Sequence, residues 1–145
     1  MATNIDFAFA IPQATAYTID RWSGYASGIT IAVILGGTAI PLTLTNSQGF
    51  TSTTTTVTSQ NAGVYLISYR ISTTASLLMQ AGVFINGTSA TPLVSDPGVA
   101  ATQFEGCSIQ QLNAGDNIQL QLYGLLGSAV LIGGAGATLN IVRIA

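Results

Sequence analysis

The stretch Asn61–Ser72, NAGVYLISYRIS, decides the fold class. After the turn-forming Asn61-Ala62-Gly63, the chain alternates as a strand does, with successive side chains on opposite sides. Tyr65, Ile67, Tyr69 and Ile71 share one face. Val64, Leu66, Ser68 and Arg70 share the other. A sheet with one side in water needs only one apolar face. Here the second face also opens with Val64 and Leu66, and it ends in one of only three basic residues in the chain. Something besides water is expected to cover it.

Outward from this strand, no segment carries a helical period. Strand-like runs separated by turn residues fill the chain. Before it lie an apolar run over Phe7–Ile19 broken by Pro12, then Gly28–Leu35, Thr38–Thr45 and the threonine tract Thr51–Ser59. After it comes Ser76–Ile85. Asn86-Gly87 then stands between two β-rich runs, a strong signal for a type I′ hairpin. The return run Thr88–Val94 leads through Asp96-Pro97-Gly98 to a strand over Ala101–Leu112. The turn Asn113–Asp116 follows, then Asn117–Leu126, a short Ala129–Ile132 run and a closing strand over Ala137–Ala145. This is an all-β chain of nine or ten short antiparallel strands, a sandwich or jelly roll, in one domain over residues 1–145.

Composition narrows the function. Charged residues are 6% of the 145, against about 25% in an ordinary soluble domain. Mean hydropathy is +0.54, so identical subunits or lipid are expected to cover apolar surface. No run approaches the roughly 20 apolar residues of a spanning helix. An eight-strand outer-membrane barrel fits the length. Against it, the start lacks the basic and apolar regions of a secretion signal, and aromatics at 8% are too few for two girdles. Three scattered arginines and a net charge of −2 give no footprint for nucleic acid.

The chemistry of an enzyme is hard to assemble from these residues. Without histidine there is no Ser-His-Asp or Cys-His relay, and one cysteine cannot build a zinc cage. No cofactor or metal is expected. The glycine clusters Gly36-Gly37 and Gly133–Gly136 lack the following Lys and helix of a phosphate loop. A carboxylate pair such as Asp96 with Glu105 would serve glycoside hydrolysis if the two met in space. Cys107 reads as a small buried apolar residue, with a reactive or interchain thiol as the alternative. The sequon Asn86-Gly87-Thr88 reads as a hairpin turn.

Gly63–Ile71, GVYLISYRI, resembles the Gly-x-Tyr-x-hydrophobic strand of the C1q/tumour-necrosis-factor superfamily. Leu112–Leu122, LNAGDNIQLQL, resembles that superfamily's Leu-x-x-Gly-Asp-x-hydrophobic-x-Leu strand. IPLTLTNSQGF, VFINGT and the closing IVRIA, with the low charge and the Thr/Gly/Ala/Ile-rich style, are similar to the C-terminal domains of BclA-type collagen-like glycoproteins of the spore exosporium. The resemblance covers nearly the whole chain, but no Gly-X-Y collagen segment is present.

The resemblance implies a ten-stranded jelly roll that forms a tight homotrimer. It also implies a place at the end of a collagen-like stalk on a spore or other extracellular surface, beside other spore-coat proteins. In the family's register Tyr65, Ile67, Tyr69 and Ile71 point into the sandwich. Val64, Leu66, Ser68 and Arg70 point to the trimer side. Ile118, Leu120 and Leu122 then face the sandwich, with Gln119 and Gln121 opposite. Leu139 and Ile141 face inward, and Thr138, Asn140 and Val142 face the partner. Glu105 falls on the same axial side as Arg70, so the two are expected to pair, within a chain or between neighbours. The alternative is that Arg70 reaches water at a strand end. The competing function is a trimeric recognition module, a lectin-like head or a phage or adhesin fibre tip, with Trp22 or Tyr25 stacking on a sugar.

Overall fold

In the computed structural model, residues 18–145 are described, and every regular element among them is a strand. In chain order these are β1 (Arg21–Ala26), β2 (Thr30–Val33), β3 (Thr38–Ala39), β4 (Thr43–Gln48), β5 (Phe50–Ser52), β6 (Val57–Ser59) and β7 (Gly63–Leu77). Then come β8 (Gln80–Ile85), β9 (Thr88–Ser95), β10 (Ala101–Leu112), β11 (Asn117–Tyr123), β12 (Gly127–Val130) and β13 (Ala137–Arg143). A five-stranded sheet runs β10-β7-β13-β1-β4. A second sheet runs β5-β6-β11-β8-β9, with β3 also on β11. β2 and β12 form a separate ribbon, and the strand pairs are antiparallel.

The alternation of β7 sets the core. Tyr65, Ile67, Tyr69 and Ile71 are buried between the sheets, as are Leu139 and Ile141 of β13 and Ile118, Leu120 and Leu122 of β11. Phe50 meets the Tyr65 ring edge-on at 5.6 Å. β7 and β13 sit side by side, Leu139 opposite Tyr69 and Ile141 opposite Ile67, so one apolar layer runs across the sheet. The Asn86-Gly87 turn has positive φ at both residues, 53° and 81°, the signature of type I′. Both ends of the Asn86 amide are engaged there. Its Nδ2 donates to Asp116 Oδ1 at 2.9 Å, and its Oδ1 accepts from the Asn117 N–H at 2.9 Å. The sequon is therefore a structural turn.

Several expected elements differ. The run Phe7–Ile19 lies outside the described residues up to position 17, and Thr18 and Ile19 are not strand. The first strand among the described residues is β1, RWSGYA, which the sequence hides. Its inward positions are Trp22, Gly24 and Ala26, and the Trp22 ring lies over Gly24, where an added Cβ would meet ring atom Cζ3 at 2.8 Å. Trp22 is thus buried, its indole donating to Ser52 Oγ at 3.2 Å, and it cannot stack on a sugar. The run Thr38–Thr45 divides at Pro41, with β3 in the second sheet and β4 in the first. The threonine tract divides too, because Thr53 N–H bonds Thr56 O at 2.9 Å and turns the chain between β5 and β6.

Candidate functional site: the outer face of the five-stranded sheet

The side of the five-stranded sheet away from the core is assembled by cross-strand register. Ile109 of β10, Leu66 of β7, Val142 of β13 and Arg21 of β1 stand opposite one another in turn. The first three form an apolar row, and all three are partly or largely exposed. The next row is Cys107, Ser68, Asn140 and Ser23, in which Ser23 Oγ donates to Asn140 Oδ1 at 2.6 Å. The third is Glu105, Arg70, Thr138 and Tyr25. Eight of the ten residues expected on the assembly face come together here: Val64, Leu66, Ser68, Arg70, Glu105, Thr138, Asn140 and Val142. Between β7, β10 and β13 lies a shallow depression of about 450 Å³ lined by Ser68, Arg70, Glu105, Cys107 and Thr138.

Gln119 and Gln121 do not join this face. They are on β11, in the other sheet, apart from the other eight. They are half-buried and already satisfied within the chain. Gln119 Nε2 donates to Thr56 Oγ1, and Gln121 Nε2 to Gln119 Oε1, both at 2.8 Å. A motif fixes which way a side chain points from its own strand. It does not say to which sheet that strand belongs.

Arg70 and Glu105 are directly opposite in the β7/β10 ladder. Yet among the described residues the only ion pair is Arg143–Asp20. Both Arg70 and Glu105 are exposed, and Arg70 stands in mid-strand rather than at a strand end. Cys107 is exposed as well, a correction to its reading as a buried residue. It shares the outward positions of β10 with Glu105 and Ile109, which the composition of QFEGCSIQ does not reveal. Ile109 itself was missed, although its i, i+2 spacing from Cys107 and Glu105 carries the signal.

Burial raises the Tyr69 hydroxyl above its usual pKa, and the neighbouring Tyr123 and the Glu105 carboxylate add to the shift. Tyr69 donates to Ala81 O at 3.3 Å. Gly106 stands opposite Tyr69, and an added Cβ there would approach the phenol ring to 2.7 Å, so glycine is what lets the ring lie flat under β10.

A second polar cluster lies where the chain enters β1. The Asp20 carboxylate is buried and accepts from Asn61 Nδ2 at 3.0 Å and Arg143 NH1 at 3.3 Å, with the Tyr65 hydroxyl at 3.5 Å. Arg143 N–H also donates to Asp20 O at 2.9 Å. Gly49, at φ 76°, leaves the room that Asp20 Oδ1 occupies. This node fastens the β1 end to the last strand and to the turn before β7.

The other candidate chemistry does not assemble. Asp96 is engaged by Gln80 Nε2 at 2.8 Å, in the loop after β9, while Glu105 sits on the sheet face. Among the described residues no group of three or more His, Cys, Asp or Glu lies together as a metal site. No described helix is long and apolar enough to cross a membrane.

Residues 24–145 match the family model of the BclA C-terminal domain. Among curated proteins, none matches the chain in sequence at a significant level. Among solved structures, the chain is similar to murine APRIL at pH 8.0, with TM-score 0.71 and 13% identity over 88% of this chain and 100% of that one. It is also similar to the Eiger TNF of S. frugiperda, with TM-score 0.64 and 14% identity over 89% and 94%. Pika GITRL aligns with TM-score 0.52 and 15% identity over 69% and 87%. These likenesses make the sandwich a tumour-necrosis-factor-like jelly roll.

Proposed function

Because the chain belongs to the BclA C-terminal domain family, we propose that it is a non-enzymatic head domain whose work is to gather three copies of itself. One observation carries this reading. The outer face of the five-stranded sheet presents the apolar row Ile109–Leu66–Val142 and, two rows along, Arg70 and Glu105, which face each other without bridging inside the chain. A solvent-facing sheet has no use for that row, whereas an obligate interface resembles a core cut in half. In a trimer each Arg70 meets an anion, either its own Glu105 drawn in by desolvation or that of a neighbour. The family supports placing the head on a collagen-like chain at the exosporium, beside other spore-surface proteins. No cofactor or nucleic acid has a part in this reading.

The test is mass in plain buffer by light scattering. A value about three times 14.8 kDa is expected, and a clean monomer across micromolar concentrations overturns the proposal. Arg70→Met and Glu105→Gln should each weaken the trimer, and the double variant should recover part of the loss. Strictly additive losses would exclude the pairing.

A further inference from the structure

Asn86 is the only asparagine of the chain followed by glycine. That pair carries its own chemistry, because the Gly87 peptide nitrogen can attack the Asn86 side-chain carbon Cγ with no side chain of its own in the way. A Cβ added at Gly87 would meet nothing within 4 Å. Asn86, Gly87 and Thr88 are all exposed, so water reaches the pair.

The folded turn prevents the attack. Ring closure needs the Gly87 nitrogen eclipsed with Asn86 Cβ about the Cα–C bond. A type I′ turn, the mirror image of type I, holds ψ of its first central residue at about +30°, where that nitrogen points away from Cβ. The φ values of 53° and 81° belong to this turn. The side chain is clamped as well. Asp116 Oδ1 accepts from Asn86 Nδ2, and the Asn117 N–H donates to Asn86 Oδ1, both at 2.9 Å. The Asn86 N–H donates to Asn117 O at 2.8 Å. Asp116 is itself held, since its Oδ2 accepts from the Asn113 N–H at 2.7 Å. One amide thus locks the β8–β9 turn onto the β10–β11 turn.

We propose that Asn86-Gly87 is a self-modification site that the folded turn holds shut, and that opening of the β8–β9 hairpin converts Asn86 to an acid the lock no longer accepts. Once the turn opens, the Gly87 nitrogen gives up its proton and bonds to Asn86 Cγ. The Cγ–Nδ2 bond breaks, and Nδ2 leaves as ammonia with that proton. Water then adds to one of the two carbonyl carbons of the five-membered ring. Breaking the new Cγ–N bond gives aspartate. Breaking the original peptide bond to Gly87 gives isoaspartate. Aspartate sets a second carboxylate against Asp116 where the Nδ2 donor stood, and like charges so close repel. Isoaspartate adds a methylene to the backbone, for which a two-residue turn has no room. Either product marks a chain whose hairpin has opened.

The experiment incubates the whole chain in alkaline buffer, folded and in concentrated urea, and follows the amide-to-acid gain in mass of the peptide that contains Asn86. The folded chain is expected to gain it at least about tenfold more slowly, because only the opened fraction reacts. Equal rates overturn the proposal. Asp116→Ala removes the clamp on Nδ2. With Trp22 fluorescence reporting an intact fold, its folded rate should rise above that of the folded parent. A folded Asp116→Ala that reacts no faster overturns the proposal too, and the comparison of the two parent rates stands whether or not this variant folds. Asn86→Asp supplies one product directly. It should unfold at lower urea than the parent, with added salt restoring part of the difference. An Asn86→Asp chain as stable as the parent overturns the one-way lock.

Discussion

Replacing Asp20 by asparagine keeps the volume of the side chain and removes its charge. The carboxylate accepts a 3.0 Å hydrogen bond from Asn61, and a charge-assisted bond of this kind contributes about 1.5–3 kcal/mol net. The ion pair with Arg143 adds less. The Asp20 side chain is only 9% exposed, but Arg143 is 39% exposed, so water screens the pair to about 1 kcal/mol or below. The Tyr65 hydroxyl loses little, since it also bonds Asn61 O at 2.8 Å. Asparagine keeps an acceptor oxygen for Asn61, so only the charge-assisted part of that bond, about 1–2 kcal/mol, is lost, and the sum is about 1–3 kcal/mol. With a urea slope of about 1–3 kcal/mol per molar, the unfolding midpoint should fall by about 1 M. Trp22 is the single tryptophan and is buried, so its fluorescence reports the transition cleanly. Arg143→Met should cost less than Asp20→Asn, because most of the node's worth lies in the buried acceptor. If Asp20→Asn unfolds within about 0.2 M of the parent, a shift worth under roughly 0.5 kcal/mol, the node holds nothing and the reasoning fails.

Leu66→Asp separates folding from assembly. Leu66 is 37% exposed in the single chain, so the fold should lose only about 1 kcal/mol. A carboxylate buried against neighbouring chains costs several kcal/mol, so a folded monomer is expected in light scattering. Gly87→Val should lower stability by about 1–2 kcal/mol or more in thermal melts. The added Cβ meets open space, and the whole cost is that of positive φ on a β-branched residue. At alkaline pH the buried Tyr69 and the part-buried Tyr123, both with raised pKa, resist ionisation while the unfolded tyrosines lose protons near pH 10. Their contribution is full below about pH 10 and is lost as pH rises through the folded values. Tyr69→Phe should flatten that alkaline limb of an unfolding series.

What was legible in the sequence was whatever strand alternation or backbone chirality writes locally. The inward set of β7, the Asn86-Gly87 turn and the closing strand each follow from a few adjacent residues. What stayed hidden depends on residues distant in sequence. β1 is an unlikely strand until Trp22 is seen lying over Gly24. The role of Asp20 is hidden because its partners, Asn61 and Arg143, are 41 and 123 positions away. Gln119 and Gln121 alternate as expected, but β11 belongs to the other sheet. The Arg70–Glu105 opposition was anticipated through the family's register, whereas Ile109 and Cys107 beside it were not.

The placement of β1 has a mechanical consequence. The strand lies between β13 and β4, with six register pairs to β13 alone, and it begins just after the Asp20 node. Tension arriving from the N-terminal side pulls β1 along its own length. With the far end of the sheet held, its hydrogen bonds then carry the load in parallel, whereas a pull against the end of β13, which lies beside Arg21, would open them one after another. Asp20 acts as a cleat ahead of them, so the first thing to yield under force would be a single carboxylate and not the sheet.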